Sequence, residues 1–170
     1  SVNDDSVDVT VSGLVLNFIP DLKSALTEFK RVIKTGGTIA AYVWDYSGKM
    51  ELMRYFWNAA VRLFEDAREI DEAARFEICN PDRLADAFNS AGLKNTEVTF
   101  IDVPTIFKDF DDYWTPFLSG IGPAPGYCMS LSEKNRDLLK NEVYKSLPID
   151  KEGSIKLIAR AIAVKAENNK

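Results

Sequence analysis

The chain has 170 residues, enough for one domain with a hydrophobic core. Its hydrophobic fraction of 46% and charged fraction of 28% are typical of a soluble globular protein. The sequence contains no apolar run of about 18 residues, so no membrane span is predicted. The net charge is −5 and the basic residues form no long run, which argues against a nucleic-acid-binding surface. Histidine, the most common metal ligand and neutral-pH general base, is absent, so we expect no metal site.

The two cysteines, Cys79 and Cys128, lie far apart in the sequence and lack the spacing of a metal site. We interpret them as free thiols in a reducing cytoplasm, and a disulfide is the less favoured alternative. The sequence has no apolar N-terminal segment of the signal-peptide kind, which favours the same cytoplasmic location.

The first third of the chain predicts a strand, a helix and a second strand. Residues 7–12 are rich in β-branched side chains and predict a strand. Asp21 is a suitable N-cap for a helix over 21–34, whose apolar residues recur at helical spacing. Gly36-Gly37 is expected to end that helix as a C-cap, and the apolar run 38–44 predicts a strand buried on both faces.

The middle of the chain predicts two helices and a strand. Residues 50–64 carry two apolar stripes and predict an enclosed helix, which a charged connector follows. Asn80 is expected to cap a helix over 81–91, since Pro81 occupies its first position. Residues 96–103 predict a strand.

The last third begins with a short aromatic element over 109–117, which the Gly/Pro-rich residues 120–126 follow. We expect those residues to form a loop, and the two elements together to form a mobile lid. Residues 132–145 predict a polar-faced helix and residues 154–164 a last strand. The polar tail 165–170 is expected to be frayed.

Two charged residues fall inside predicted strands. Arg160 stands in the middle of an apolar run, so it must pair, most plausibly with a carboxylate. Asp8 in the first strand is an alternative buried charge. We interpret both as structural rather than catalytic residues.

Two segments together resemble a known family. Asp4-Asp5-Ser6-Val7-Asp8-Val9 and Arg31-Val32-Ile33-Lys34-Thr35-Gly36-Gly37 resemble the middle of class I S-adenosylmethionine (SAM)-dependent methyltransferases of the type 11, small-molecule kind. In that family this pattern lies near the middle of the domain, whereas it starts this chain. The resemblance is strong over residues 4–44 and looser beyond.

The resemblance implies an α/β fold, the C-terminal half of a Rossmann-like methyltransferase domain. The predicted strands would be its strands 4, 5, 6 and 7, with the last strand antiparallel between strands 5 and 6. Residues 1–170 would form a single partial domain. Its parts would be a half-Rossmann core over 1–104, an aromatic and Gly/Pro lid insertion plus helix over 105–150, and the last strand over 151–166.

The glycine-rich cofactor loop of the family is absent from this sequence. Gly120-Ile121-Gly122 is the nearest pattern, but the prolines that follow cannot open a helix whose N-terminal amides face a ligand. The family's acidic residue for the ribose is missing too. The resemblance therefore implies SAM as cofactor of the complete protein, with weak or no binding by this chain.

The resemblance also suggests cofactor-binding and catalytic residues. In α/β sheets ligands lie at the carboxyl ends of the strands. Ser12, Gly13 and Leu14 leave the first strand at that edge and would lie near the methionine part of SAM; a plain loop is the alternative. Asp45 leaves the next strand and is the candidate for orienting or deprotonating the acceptor, although it could equally cap the following turn.

Several mainly aromatic residues are candidates for binding the substrate. They are expected to surround one pocket, although aromatic residues at such spacings more often belong to a core. The candidates are Leu16, Trp44, Tyr46, Trp57, Tyr113 and Trp114.

Three functions compete at this point. The first is methyl transfer from SAM to a small-molecule acceptor, with this chain as the substrate-side half and inactive alone. The second is a non-catalytic interaction or regulatory module derived from a methyltransferase. The third, a nucleotide-dependent oxidoreductase, is weakest because the sequence contains no dinucleotide fingerprint.

The resemblance also implies a partner. The strand at 7–12 is central in the family, so without its neighbour it would have an open edge that pairs with another chain. We expect a homodimer through residues 7–12, or pairing with a separate N-terminal half. We expect neither nucleic acid nor membrane as a partner.

Overall fold

The computed structural model describes residues 2–169. Within this range the chain forms one four-stranded sheet and eight α-helices. The strands are β1 (Val7–Gly13), β2 (Ile33–Trp44), β3 (Lys94–Phe107) and β4 (Ile155–Glu167). The helices are α1 (Leu22–Val32), α2 (Glu51–Leu63), α3 (Ala67–Ile70), α4 (Glu72–Arg75), α5 (Pro81–Ser90), α6 (Phe110–Trp114), α7 (Pro123–Ser130) and α8 (Glu133–Ser146).

The sheet has the strand order β1-β2-β4-β3. β1 and β2 run parallel, joined by α1, while β4 pairs antiparallel with β2. The last strand therefore lies between the second and the third, as the family resemblance implied. The predicted α/β, Rossmann-like fold is confirmed.

The predicted helix boundary at the glycine pair is wrong. α1 ends at Val32, and Ile33 is already extended, so Gly36 and Gly37 lie inside β2. The register advances from Val7 to Val9 in β1 but from Ile33 to Thr38 in β2, so the glycines occupy a bulge. Gly36 has a φ of 79°, and a Cβ on Gly37 would lie 2.8 Å from the Asp8 carbonyl oxygen. The pair is needed for the bulge rather than for a cap.

The predicted frayed tail is also wrong, because β4 continues to Glu167 and Asn168 is fully buried. The Asn168 main chain accepts from Gly36 N at 2.7 Å and donates to Gly37 O at 2.9 Å. Its side-chain Nδ2 donates to the carbonyl oxygen of Ile33 at 2.9 Å and to that of Lys30 at 3.2 Å. Asn168 thus closes the β2 bulge and satisfies carbonyl groups at the end of α1.

The chain divides into two compact units whose limits differ from the predicted ones. Unit 1 comprises residues 1–45, 76–101 and 161–170, and unit 2 comprises residues 46–75 and 102–160. The half-Rossmann core was predicted over 1–104, but the segment 46–75 within that range belongs to unit 2. The reason is that α2 packs with α7 and α8 of unit 2.

Unit 1 contains the parallel pair β1 and β2 with α1 and α5. Ile39, Val43 and Ile162 of its strands are completely buried, and α1 packs on β2. Asn80 caps α5 by accepting from Asp82 N at 3.0 Å and Arg83 N at 3.2 Å, as predicted.

Unit 2 is held together by one hydrophobic cluster. Phe56 of α2 stacks on Phe117, with ring centroids 4.5 Å apart. Trp114 of α6 stacks with Phe110 at 6.1 Å, and the cluster continues into Leu139 of α8. The aromatic segment predicted as part of a lid is therefore largely a core.

The predicted loop over 120–126 is partly a helix. α7 begins at Pro123, with Gly122 as its N-cap at a φ of 96°. Prolines suit the first turn of a helix, because the amide protons they lack would have no partner there. Ala124 and Cys128 of α7 are completely buried. The second proline, Pro125, also falls within that turn, so the lid over these residues is not supported.

The two predicted strand charges have different environments. Arg160 pairs with Asp102 through two hydrogen bonds of 2.6 and 2.8 Å, which confirms the expected carboxylate partner. Asp8 is not buried: 80% of its side chain is exposed, and it pairs with Lys34 at 2.8 Å. Asp8 lies at the register shift between Val7 and Val9, where its side chain reaches Lys34 in the bulged segment of β2.

None of the helices within residues 2–169 has the length and apolar character that a membrane crossing requires.

Replacing Asn168 with Ala tests the role of the buried amide. We expect a loss of about 1–3 kcal/mol in the free energy of unfolding, because the carbonyl groups of Ile33 and Lys30 lose a donor. Urea unfolding measures the change, and the exposed Asn169→Ala is the matched control. Equal effects of the two substitutions would contradict the assignment.

Candidate functional site

Five of the predicted site residues lie at one edge of unit 1. β1 and β2 are parallel, with Ser12 opposite Ala41 and Gly13 opposite Tyr42. The carboxyl ends of both strands therefore lie at the same edge, where ligands bind in open α/β sheets. This arrangement places Ser12, Gly13 and Leu14 on one strand end and Trp44 and Asp45 on the other.

The turn after β1 has a strained backbone. Leu14 has a φ of 57°, in the left-handed region that costs a non-glycine residue about 1–2 kcal/mol. Leu14 N donates to Tyr42 O at 2.8 Å, which holds the turn against β2. A Cβ on Gly13 would lie 2.5 Å from the Tyr42 hydroxyl oxygen, so a side chain at position 13 would require the exposed Tyr42 side chain to move.

A single 3-10 turn, Leu16–Phe18, follows and contains a residue that the sequence analysis missed. The Nδ2 atom of Asn17 is buried and has no hydrogen-bond partner within the structure. Leu16 is only 1% exposed, so this predicted substrate contact lies in the core. The available signal was one amide inside the apolar run Leu14–Ile19, and its missing partner is visible only in the fold.

Asp45 lies close to a cysteine in unit 1. Asp45 is 7% exposed and Cys79 is 2% exposed. Burial and, secondarily, the charge of Asp45 raise the pKa of the Cys79 thiol to about 12. Cys79 therefore stays protonated at neutral pH and does not act as a nucleophile.

The remaining predicted site residues belong to unit 2, and three of them are core residues. Trp57, Tyr113 and Trp114 are at most 3% exposed and lie in the same hydrophobic cluster. The Tyr113 hydroxyl donates to Leu52 O at 2.7 Å. Core packing, the alternative considered for these aromatics, describes their environment, and their contact with substrate stays a prediction.

Unit 2 also contains a buried polar network beside Tyr46. The Tyr46 carbonyl oxygen accepts from Arg54 Nη1 at 3.0 Å. Arg54 pairs with Asp71 through bonds of 3.0 and 2.7 Å, and both side chains are 12% exposed. Trp57 Nε1 donates to a carboxylate oxygen of Glu72, which is 2% exposed. Burial raises the pKa of Glu72 above its usual value.

The raised pKa gives unit 2 a pH-dependent stability. The folded state holds the Glu72 proton more tightly than the unfolded state does, so this contribution is complete at acidic pH and is lost as pH rises through the folded-state pKa. Glu72→Gln should therefore become more stable relative to the natural protein as pH increases from 4 to 7 (about the range over which such a carboxyl ionises).

Thermal unfolding across that pH range measures the effect, with the exposed Glu69→Gln as control. Gln retains an acceptor for the Trp57 indole, so the variant changes the charge and preserves the hydrogen bond. A difference from the natural protein that does not vary with pH would contradict the assignment.

Comparisons with known proteins bear on the family of the first segment and on the fold of the chain. Residues 1–41 match the model of the methyltransferase domain family. The search of curated proteins gave no match.

Two solved structures have a similar fold. One is a proposed methyltransferase from Bacillus halodurans, with 13% identity and a TM-score of 0.55, over 99% of this chain and 67% of that one. The other is the YcgJ protein of Bacillus subtilis, with 14% identity and a TM-score of 0.52, over 99% of this chain and 66% of that one. The chain thus spans about two thirds of their length. The resemblance carried by Asp4–Val9 and Arg31–Gly37 is confirmed: residues 1–41 match the methyltransferase domain family, and the chain has a Rossmann-like methyltransferase fold.

Proposed function

We propose that this chain is the substrate-side part of a SAM-dependent methyltransferase that acts on a small-molecule acceptor, and that it is inactive alone. The observation that carries the proposal is the common edge of β1 and β2, which holds a turn with Leu14 in the left-handed region, a glycine packed against Tyr42 and a donor without a partner in the structure. This edge lies within or next to the segment that matches the family model.

The residues of this edge fit part of the cofactor. The Nδ2 atom of Asn17 has no acceptor within the structure, and Ser12, Gly13 and Leu14 lie at the carboxyl end of β1, where ligands bind in open α/β sheets. When bound, SAM supplies an activated methyl group on a sulfonium. We assign Ser12, Gly13 and Leu14 to holding the methionine part, as the resemblance implied.

The residues of this chain then need to align the acceptor and exclude water rather than activate the methyl group. Displacement at an activated methyl group needs alignment and exclusion of water more than acid–base catalysis, so the absence of histidine is no obstacle. Asp45, 7% exposed at the end of β2, is our candidate for accepting a proton from the acceptor or fixing its orientation. Trp44, half-buried in unit 1, precedes it and is proposed to contact the substrate.

A non-catalytic interaction module remains the second candidate. It is favoured by the outer edge of β1, with which no strand pairs among the described residues. Two buried free cysteines support a cytoplasmic location for either function.

Titration with S-adenosylhomocysteine, followed by amide NMR, separates the two functions. We expect weak binding, with a dissociation constant on the order of 1 mM or weaker. Chemical-shift changes should concentrate in residues 12–17. Gly13→Val should weaken them, because its side chain would displace Tyr42 from its place beside the turn.

Adenosine alone is the control for non-specific stacking. No response of residues 12–17 at millimolar concentration would favour the interaction module. Micromolar affinity measured by calorimetry would contradict the proposal that the chain is only part of the cofactor site.

We further propose that the outer edge of β1 pairs with a second copy of this chain. Among the described residues no strand pairs with that edge. Val9 and Val11 are 56% and 66% exposed, and an edge strand with apolar side chains favours pairing. Antiparallel pairing about a two-fold axis brings residues 7–12 of both copies together. A separate N-terminal half is the alternative occupant.

Light scattering after size-exclusion chromatography tests this pairing. We expect a dimer, and Val9→Pro should give a monomer because proline removes a ladder donor. Val11→Lys, which changes only an exposed side chain, should weaken the dimer through like-charge repulsion across the two-fold axis. Circular dichroism checks that both variants are folded. A monomeric natural protein at high concentration would contradict the homodimer.

A further inference from the structure

We propose that the groove between α1 and α5 binds a small anionic amphiphile, a medium-length acyl chain that carries a carboxylate. The groove lies in unit 1 and shares no residue with the turn that we assign to the cofactor. The inference does not depend on the proposed function. It assigns a ligand class to a cavity that methyl transfer leaves unused.

The α1–α5 groove is a cavity of about 400 Å³ that opens to solvent. Its volume falls within the range of small-molecule sites, which are mostly apolar and contain a few polar groups. Leu22 and Leu26 line it from α1, and Leu26 is only 1% exposed. Ala87 and Ala91 line it from α5, and their small side chains leave the space between the helices unfilled. The groove therefore offers an apolar wall on each side.

A contact at one end of the two helices holds the groove in shape. The Nζ atom of Lys30, near the end of α1, donates to the carbonyl oxygens of Ala91 and Gly92, each at 3.3 Å. A cation suits this position because the carbonyl groups at the end of a helix carry partial negative charge. A site whose walls are already fixed loses less entropy when a ligand binds.

Lys23 gives the groove a positive charge. It lines the cavity, and among the described residues its ammonium group has neither an ion pair nor a hydrogen bond. Asp21 lies close enough for the charge of Lys23 to lower its pKa, but the Asp21 carboxylate accepts from Ser24 N at 2.9 Å and from Ser24 Oγ at 2.6 Å. None of the described residues that line the groove is acidic. An anionic group on the ligand would therefore meet a cation that has no other partner.

Another cavity of unit 1 shows why an unpaired lysine matters. That cavity measures about 350 Å³, and both Lys165 and Glu97 line it. Their side chains pair at 3.4 Å, so the charge of that lysine is already compensated. In the α1–α5 groove, by contrast, Ser90 adds a hydroxyl that can donate a hydrogen bond to a carboxylate oxygen. The polar lining of the groove thus favours an anion.

The extent of the apolar lining selects the length of the chain. Leu22 and Leu26 are four residues apart on α1, as are Ala87 and Ala91 on α5, which corresponds to about 6 Å along each helix. A hexyl-sized chain matches this length. A long-chain lipid would leave most of its apolar surface in water, so the groove gains little from it.

Titrations of the full chain, followed by ¹⁵N NMR, test the site with hexanoate, propanoate and hexan-1-ol. Hexanoate should shift the amides of residues 22–26 and 87–91. It should bind about eightfold more tightly than propanoate, the ratio for three further methylene groups that are half buried. It should bind about threefold more tightly than hexan-1-ol, the ratio for one exposed ion pair. No localised shift at high millimolar hexanoate, or equal affinity for hexanoate and hexan-1-ol, would overturn the inference.

Two pairs of variants separate the roles of charge and shape. Lys23→Gln should remove the preference for hexanoate over hexan-1-ol, whereas Lys94→Gln, an exposed lysine outside the lining, should keep it. Ala87→Leu should fill the groove and weaken hexanoate binding, whereas Ala85→Leu makes the same change on α5 outside the lining and should not. Urea unfolding checks that the variants are folded, and the lysine pair decides if Ala87→Leu is not. Equal effects within either pair of folded variants would overturn the inference.

Discussion

The register between β1 and β2 is the constraint on which the candidate site depends. A slip of one residue in a strand pair moves every side chain to the opposite face. The bulge at Gly36 and Gly37 absorbs the extra residues of β2, and Asn168 closes it with main-chain and side-chain hydrogen bonds. Beyond the bulge the pairing is regular from Val9 to Gly13. A buried amide at the end of the described chain thus helps to set the positions of groups at the far end of both strands.

The regular pairing leads directly to the strained turn. Because Gly13 lies opposite Tyr42, the tyrosine ring occupies the space that a Cβ would need, and its carbonyl oxygen holds Leu14 N. The chain then has to leave β1 with Leu14 in a left-handed conformation. The position of Asn17 follows from that departure and from the buried Leu16, which anchors the 3-10 turn. The exposed Phe18 and the unpartnered amide are therefore parts of one local geometry.

Sequence patterns predicted the strands and the longer helices because burial imposes a period on apolar side chains. They failed where the outcome depended on distant partners. Gly36 and Gly37 suit a helix cap and a bulge equally well, and only pairing with β1 and Asn168 decides between them. No sequence motif around Asn17 indicates a ligand site. The missing hydrogen-bond partner of its side chain is visible only in the folded turn.

The outer edge of β1 and the turn after it belong to the same strand, so the proposed pairing and the proposed cofactor contacts both depend on the register between β1 and β2. β2 already holds β1 along its inner edge, so a partner strand on the outer edge would leave Ser12 and Gly13 opposite Ala41 and Tyr42. The proposed pairing through β1 is therefore compatible with the proposed cofactor contacts, and an interaction module and an enzyme need not be exclusive descriptions of this chain.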